Sequence, residues 1–142
     1  MKLRALALVG LLTSGLMTTT HASDIELVKI MSALQYFTHK TTLAVDAENP
    51  ELAAFYAHEL EELIEELEEV ESYHNQPIAS FVTAILEPSF ETLEDQIKDN
   101  NWPQSSAAMN ALIDSCNKCH QATQHGFIVI ERRANNPYFQ QF

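Results

Sequence analysis

The sequence predicts an all-α protein, an antiparallel up-down-up-down four-helix bundle. Three observations carry that prediction. Apolar residues recur every three or four positions through four separate stretches, the period of one helix face. Glycine is scarce, 3 in 142 residues, whereas sheet-rich folds need more of it for their turns. Most prolines stand near the starts of the periodic stretches, where a helix tolerates them. The 46 % apolar content suffices for a packed core, and the length allows one domain.

The first stretch runs from about Asp24 to Asp46, with Leu27, Ile30, Leu34, Phe37, Thr41 and Val45 on one face. Ser23 and Glu26 fit a capping box before it. The second opens with Asn49-Pro50, an N-cap followed by proline in the first turn. Leu52, Tyr56, Leu60, Leu63, Leu67 and Val70 then form a near-heptad seam to about Tyr73. The third runs from about Pro77 to Asp99 and carries Ile78, Val82, Ile85, Leu86, Phe90, Leu93 and Ile97. Pro88 inside it predicts a kink or break. The fourth opens after Asn100-Asn101 with Pro103 in its first turn. Ala108, Met109, Leu112, Cys116 and Cys119 share its stripe, and Gly126 is the expected stop. A mixed tail follows from about Phe127.

Residues 1–22 read as a secretory signal peptide, with Lys2 and Arg4 ahead of an apolar run of about 13 residues and Thr20-His21-Ala22 as the cleavage site. That run is short of the ~20 residues a spanning helix needs. Residues 23–142 are then the mature domain, with no further membrane span and a periplasmic location. Loss of Lys2 and Arg4 takes the net charge from −12 to −14. So acidic a chain is a poor partner for nucleic acid or an anionic membrane. Eight glutamates between Glu59 and Glu71 lie mostly opposite the second seam. They read as a solvated face or as a docking surface for a basic partner.

Cys116-Asn117-Lys118-Cys119-His120 is C-x-x-C-H, the attachment signature of haem c. Two cysteines three apart near a helix end present both sulfurs to one porphyrin edge, where they can add to the vinyl groups as thioethers. His120 directly after them can serve as the proximal iron ligand. An export signal agrees, because haem c is attached outside the cytoplasm. Rival readings of the motif fare worse. A thioredoxin-like pair needs a βαβ context. A zinc site from Cys116, Cys119, His120 and His125 needs neighbours on a helix that point about 100° apart to converge. A disulfide between Cys116 and Cys119 would be strained.

A four-helix bundle with C-x-x-C-H near the end of its last helix resembles the cytochrome c′ class. The resemblance implies a haem inside the bundle, its iron held by His120, with an apolar residue of the first helix opposite. It also implies a five-coordinate iron open to nitric oxide or carbon monoxide. Residue by residue it carries over to Cys116, Cys119 and His120. The stretch from Cys116 to Ile130 is similar as well to exported monohaem proteins.

On the first helix Leu34 marks the centre of the buried face. Met31 lies about 60° and Thr38 about 40° from it, while His39 lies about 140° away. Leu34 is therefore the expected distal-face packing residue, and Met31 the best-placed soft ligand. Met31 reads equally as core packing. His39, His58 and His74 read as solvated, and His125 as a partner of the tail or of a haem propionate. Phe127 to Ile130 are placed to fold back over the haem edge. Arg132 and Arg133, two of six basic residues after Ala22, are candidates to neutralise the propionates, or are plain surface arginines.

Two functions follow. One is a one-electron carrier with a redox partner on the acidic face. The other is a gas binder for nitric oxide or carbon monoxide. No distal His-Arg pair falls at helical spacing on the buried faces, so an enzyme such as a peroxidase is not expected. Bundles of this kind often pair through an exposed helix face, which makes a homodimer an expectation by analogy.

Overall fold

A computed structural model describes residues 19–142, with side chains from residue 26. Most of the expected signal peptide thus lies outside the described residues. The helices are α1 (Thr19–Asp46), α2 (Pro50–Glu68), α3 (Ile78–Phe81), a π-helical turn (Val82–Leu86), α4 (Glu87–Lys98) and α5 (Trp102–Ala122). The segment from α3 through α4 is continuous, so the described residues form four helical segments. No strand occurs among the described residues, and none of their helices is long and apolar enough to cross a membrane.

The four segments close a ring of contacts: α1 on α2, α2 on α4, α4 on α5, and α5 on α1. Leu60, Leu67, Leu93, Met109 and Leu112 fill the centre, each fully buried. Burying a side chain of this size stabilises by about 2 kcal/mol, and cutting Leu93 to alanine would cost about 2–5 kcal/mol. Every apolar position expected on the first two seams is buried or packs against this core. Polar groups inside it bond locally: Thr41 and Thr42 donate to the carbonyls of Phe37 and Thr38, both at 2.8 Å.

Three helix ends turn without glycine. After α1 the N–H of Glu48 donates to the carbonyl of Val45 and that of Asn49 to Ala44, both at 3.0 Å. This is the paired pattern of a Schellman motif, with Glu48 left-handed at φ 52°. The same pattern ends α4 at Asn100 and α5 at Gln124. Asn49 closes one helix and its side chain caps the next, accepting from the N–H of Leu52 at 3.1 Å.

Four local expectations are corrected. α1 begins at Thr19, so Ser23 and Glu26 lie inside it and do not cap it. α2 stops at Glu68 instead of running to Tyr73. Its last turn holds glutamates and no basic residue, against the negative end of the helix dipole. The following chain turns through left-handed His74 and Asn75, with Tyr73 bridged to Gln76. Pro88 does not break the third segment. The irregularity lies just before it, in the π turn, where a wider ladder accommodates the missing N–H and the ring. Gly126 does not end α5; Gln124, two residues earlier, takes the left-handed position.

Candidate functional site

The C-terminal half of α5, the N-terminal half of α1, the π turn and the tail enclose an apolar cavity of about 330 Å³. Cys116, Cys119 and His120 form one side of it. Met31 and Leu34 of α1 line it too, with Leu27, Gln35 and Thr38. Leu60, Ile64 and Leu67 of α2 and Phe81, Val82 and Leu86 around the π turn complete the wall. Five sequence-derived candidates from the two ends of the chain therefore meet in one space. Among the described residues no lysine, arginine, aspartate or glutamate lines it.

Both cysteines are free. Burial pushes the Cys116 thiol up to about 12 and the Cys119 thiol up to about 11, with Cys119 adding to the rise at Cys116. They are neutral thiols at physiological pH. The thiol of Cys119 donates to the carbonyl of Phe81 at 3.6 Å, at the junction of α3 and the π turn. Among the described residues no three His, Cys, Asp or Glu side chains gather as a metal cluster.

His120 has its hydrogen bonding decided by the tail. Its Nδ1 lies 2.9 Å from the carbonyl oxygen of Ile128. A carbonyl only accepts, so Nδ1 carries the proton and Nε2 keeps the lone pair in the neutral ring. That tautomer leaves Nε2 able to accept a proton or bind a metal ion. The Schellman turn at Gln124 reverses the chain to make this contact. Ile128, itself 43 % exposed, and Ile130 line the cavity, while Phe127 and Val129 are 80 % and 65 % exposed. Of the four residues expected to fold back, two, Ile128 and Ile130, line the cavity.

The arginines stand elsewhere. Arg132 donates to the carbonyl of Ser106 at 2.8 Å and to Oδ1 of Asn110 at 2.9 Å, and pairs with Asp46 at the end of α1. It does not line the cavity, and its guanidinium is used by α5 and α1. Arg133 pairs with Glu131 and lines a second, more polar pocket. Ser32, Gln35, Thr38 and Ile130 form walls of both pockets.

The remaining histidines divide by contact. His58 is exposed beside Glu61 and Glu62, and His74 is exposed in its turn. His39 is not simply solvated: the tail covers it, with the hydroxyl of Tyr138 and the carbonyl of Asn135 each 3.1 Å from its ring. His125 lines the cavity, donates from Nδ1 to the carbonyl of Thr123 at 2.7 Å, and stacks near Tyr73 and Phe127.

Sequence reasoning missed Tyr73 and Asn117. Tyr73 was read as the end of α2 and instead lines the cavity from the following turn. Asn117 stood as a spacer inside C-x-x-C-H, and its partner lies 13 residues away, outside any helical period. Comparison of this chain with known protein families, with curated proteins and with solved structures finds no match.

Proposed function

We propose that this chain is an exported monohaem c-type cytochrome that transfers single electrons. The observation that supports it most is the meeting of Cys116, Cys119 and His120 with Met31 and Leu34 around one uncharged cavity. The residues fit the group: two neutral thiols for thioether bonds, a histidine with its Nε2 lone pair free, and apolar walls for a porphyrin face. An apolar site of this size, about 330 Å³, also falls in the range of ligand cavities, about 300–1,000 Å³.

In this reading the helical segments form an up-and-down bundle, consistent with the short connections 47–49 and 99–101. Cys116 and Cys119 would hold haem c, and His120 would be its proximal ligand. Haem c supplies one-electron exchange at iron. The chain supplies the rest. Apolar walls would exclude water, the carbonyl of Ile128 orients His120, and Met31 and Leu34 would pack against the group from α1. Arg133, beside the pocket that shares walls with the cavity, is the arginine better placed for a propionate. The exposed glutamates of α2, including Glu62, Glu65 and Glu66, would receive a basic redox partner. No catalytic constellation is invoked.

A second reading, binding of nitric oxide or carbon monoxide, is favoured by the presence of Leu34 at the cavity wall, since leucine offers no ligand atom. Absorption spectra of the purified protein, oxidised and reduced, with and without carbon monoxide, test both. Sharp α and β bands that ignore carbon monoxide support electron transfer, and Met31→Leu should then convert the spectrum to high spin. A broad spectrum that shifts with carbon monoxide supports gas binding. Absence of covalently retained haem rejects both.

A further inference from the structure

We propose that Asn117 is a positioning residue for His120. The proposal deepens the haem reading, and one arm of its test is independent of that reading. The side chain of Asn117 makes two hydrogen bonds to one tail residue: Nδ2 donates to the carbonyl of Ile130 at 2.9 Å, and Oδ1 accepts from the N–H of Ile130 at 2.8 Å. Such a closed pair mimics a rung of a sheet and fixes both the distance and the rotation of the tail backbone. The tail has no secondary structure of its own beyond Gly126 and Phe127, so its backbone position depends on contacts like this one.

Ile128 stands two residues before Ile130, and its carbonyl accepts the Nδ1 proton of His120 at 2.9 Å. Asn117 and His120 are three apart on α5, hence neighbours on one helix face. The tail backbone therefore bonds the same face of α5 twice. Upstream, the N–H of Ile128 donates to the carbonyl of His125 at 2.8 Å. The acceptor of His120 is held from both sides, by the turn before it and by Asn117 after it. Removing Asn117 frees the downstream side as far as Arg132. Imidazole then loses a fixed partner at Nδ1, its tautomer is no longer selected, and its donor strength at Nε2 falls.

The test uses the full chain in two forms. In protein produced without haem, long-range proton–nitrogen correlation spectra read the tautomer of His120. The Nδ1–H form should dominate in the parent. In Asn117→Ala its ratio to the Nε2–H form should fall about fivefold, equivalent to the ~1 kcal/mol net value of one hydrogen bond. Asn117→Asp retains the acceptor for Ile130 N–H and loses the donor; it should fall between, and it serves if the alanine variant does not fold. In haem-loaded protein both variants should show a higher reduction potential and a lower iron–histidine stretching frequency. An unchanged tautomer ratio in a folded variant overturns the positioning role, and so does a loaded protein with neither shift. A parent chain that retains no haem rejects the functional reading, while the tautomer ratio still decides the role of Asn117.

Discussion

The ammonium group of Lys40 donates a 2.7 Å hydrogen bond to Oε1 of Gln140, joining the C-terminal part of α1 to the C-terminal tail. The amine is buried, and the rings of Tyr36, Tyr56 and Tyr138 surround it with centroids 4.9–5.0 Å away. A desolvated cation among aromatic faces is held by their quadrupoles as well as by hydrogen bonds. Lys40→Met keeps the length of the stem and removes the charge. It should lower stability by about 2 kcal/mol, from the lost cation–π and charged hydrogen bonds. Urea unfolding measures this, and hydrogen exchange should quicken at residues 138–142. Unchanged exchange there would mean that the tail is held by other contacts.

Glu48 turns the corner from α1 to α2 at φ 52°, a conformation unfavourable for a side chain with a Cβ. Glycine adopts it without that cost but loses more backbone entropy on folding. Glu48→Gly should therefore stabilise the protein by about 0.5–1 kcal/mol, the difference of the two effects. A lowered denaturation midpoint would show that the carboxylate of Glu48 has a favourable contact in the folded state.

Arg132 and Arg133 are adjacent in sequence and should behave differently. Arg132→Gln breaks the link between Asp46 of α1 and Ser106 and Asn110 of α5, and should cost about 1 kcal/mol of stability for a partly exposed pair. It should leave the reduction potential of the haem-loaded protein unchanged. Arg133→Gln should leave stability within about 0.5 kcal/mol of the parent and shift the potential. Paired urea titrations and potentiometry separate the two effects. Equal effects from both substitutions would refute the division.

Two groups should make the fold weaker as pH rises. A hydrogen bond to Glu61 and the charge of Glu62 hold His58 above its ordinary value of 6.5. The charge of Glu68, with some desolvation, holds Glu87 above 4.5. Both bind a proton more tightly in the folded state, so their contribution is fully present below the unfolded values. It is lost as pH rises through the folded ones. The double variant His58→Gln, Glu68→Gln should therefore lose less melting temperature than the parent between about pH 4.5 and about pH 8. Added salt should shrink the difference, because both sites are exposed. Identical profiles would remove these pairs from the explanation.

The apolar faces of all four helical segments were legible in the chain because a seam at three- and four-residue spacing is a property of one helix alone. Leu60, Leu67, Leu93 and Leu112 were named from spacing and are buried. Helix ends were less legible. The left-handed residues that close α1, α4 and α5 are Glu48, Asn100 and Gln124, and none is glycine, the usual signal of such a stop. Paired hydrogen bonds back into the last turn hold those conformations.

By itself, the sequence determined that the chain is helical, where its apolar faces lie, and that Cys116, Cys119 and His120 stand close together near one helix end. Each of these rests on residues within a few positions of one another, where backbone geometry sets the distances. Only the tertiary structure decided that Met31 and Leu34 share a cavity with that unit. The same holds for the partnership of Arg132 with Asp46, and for the Ile128 carbonyl that selects the tautomer of His120. Those relationships join segments far apart in the chain. They depend on how α1 and an irregular tail pack against α5, and no periodicity encodes that packing.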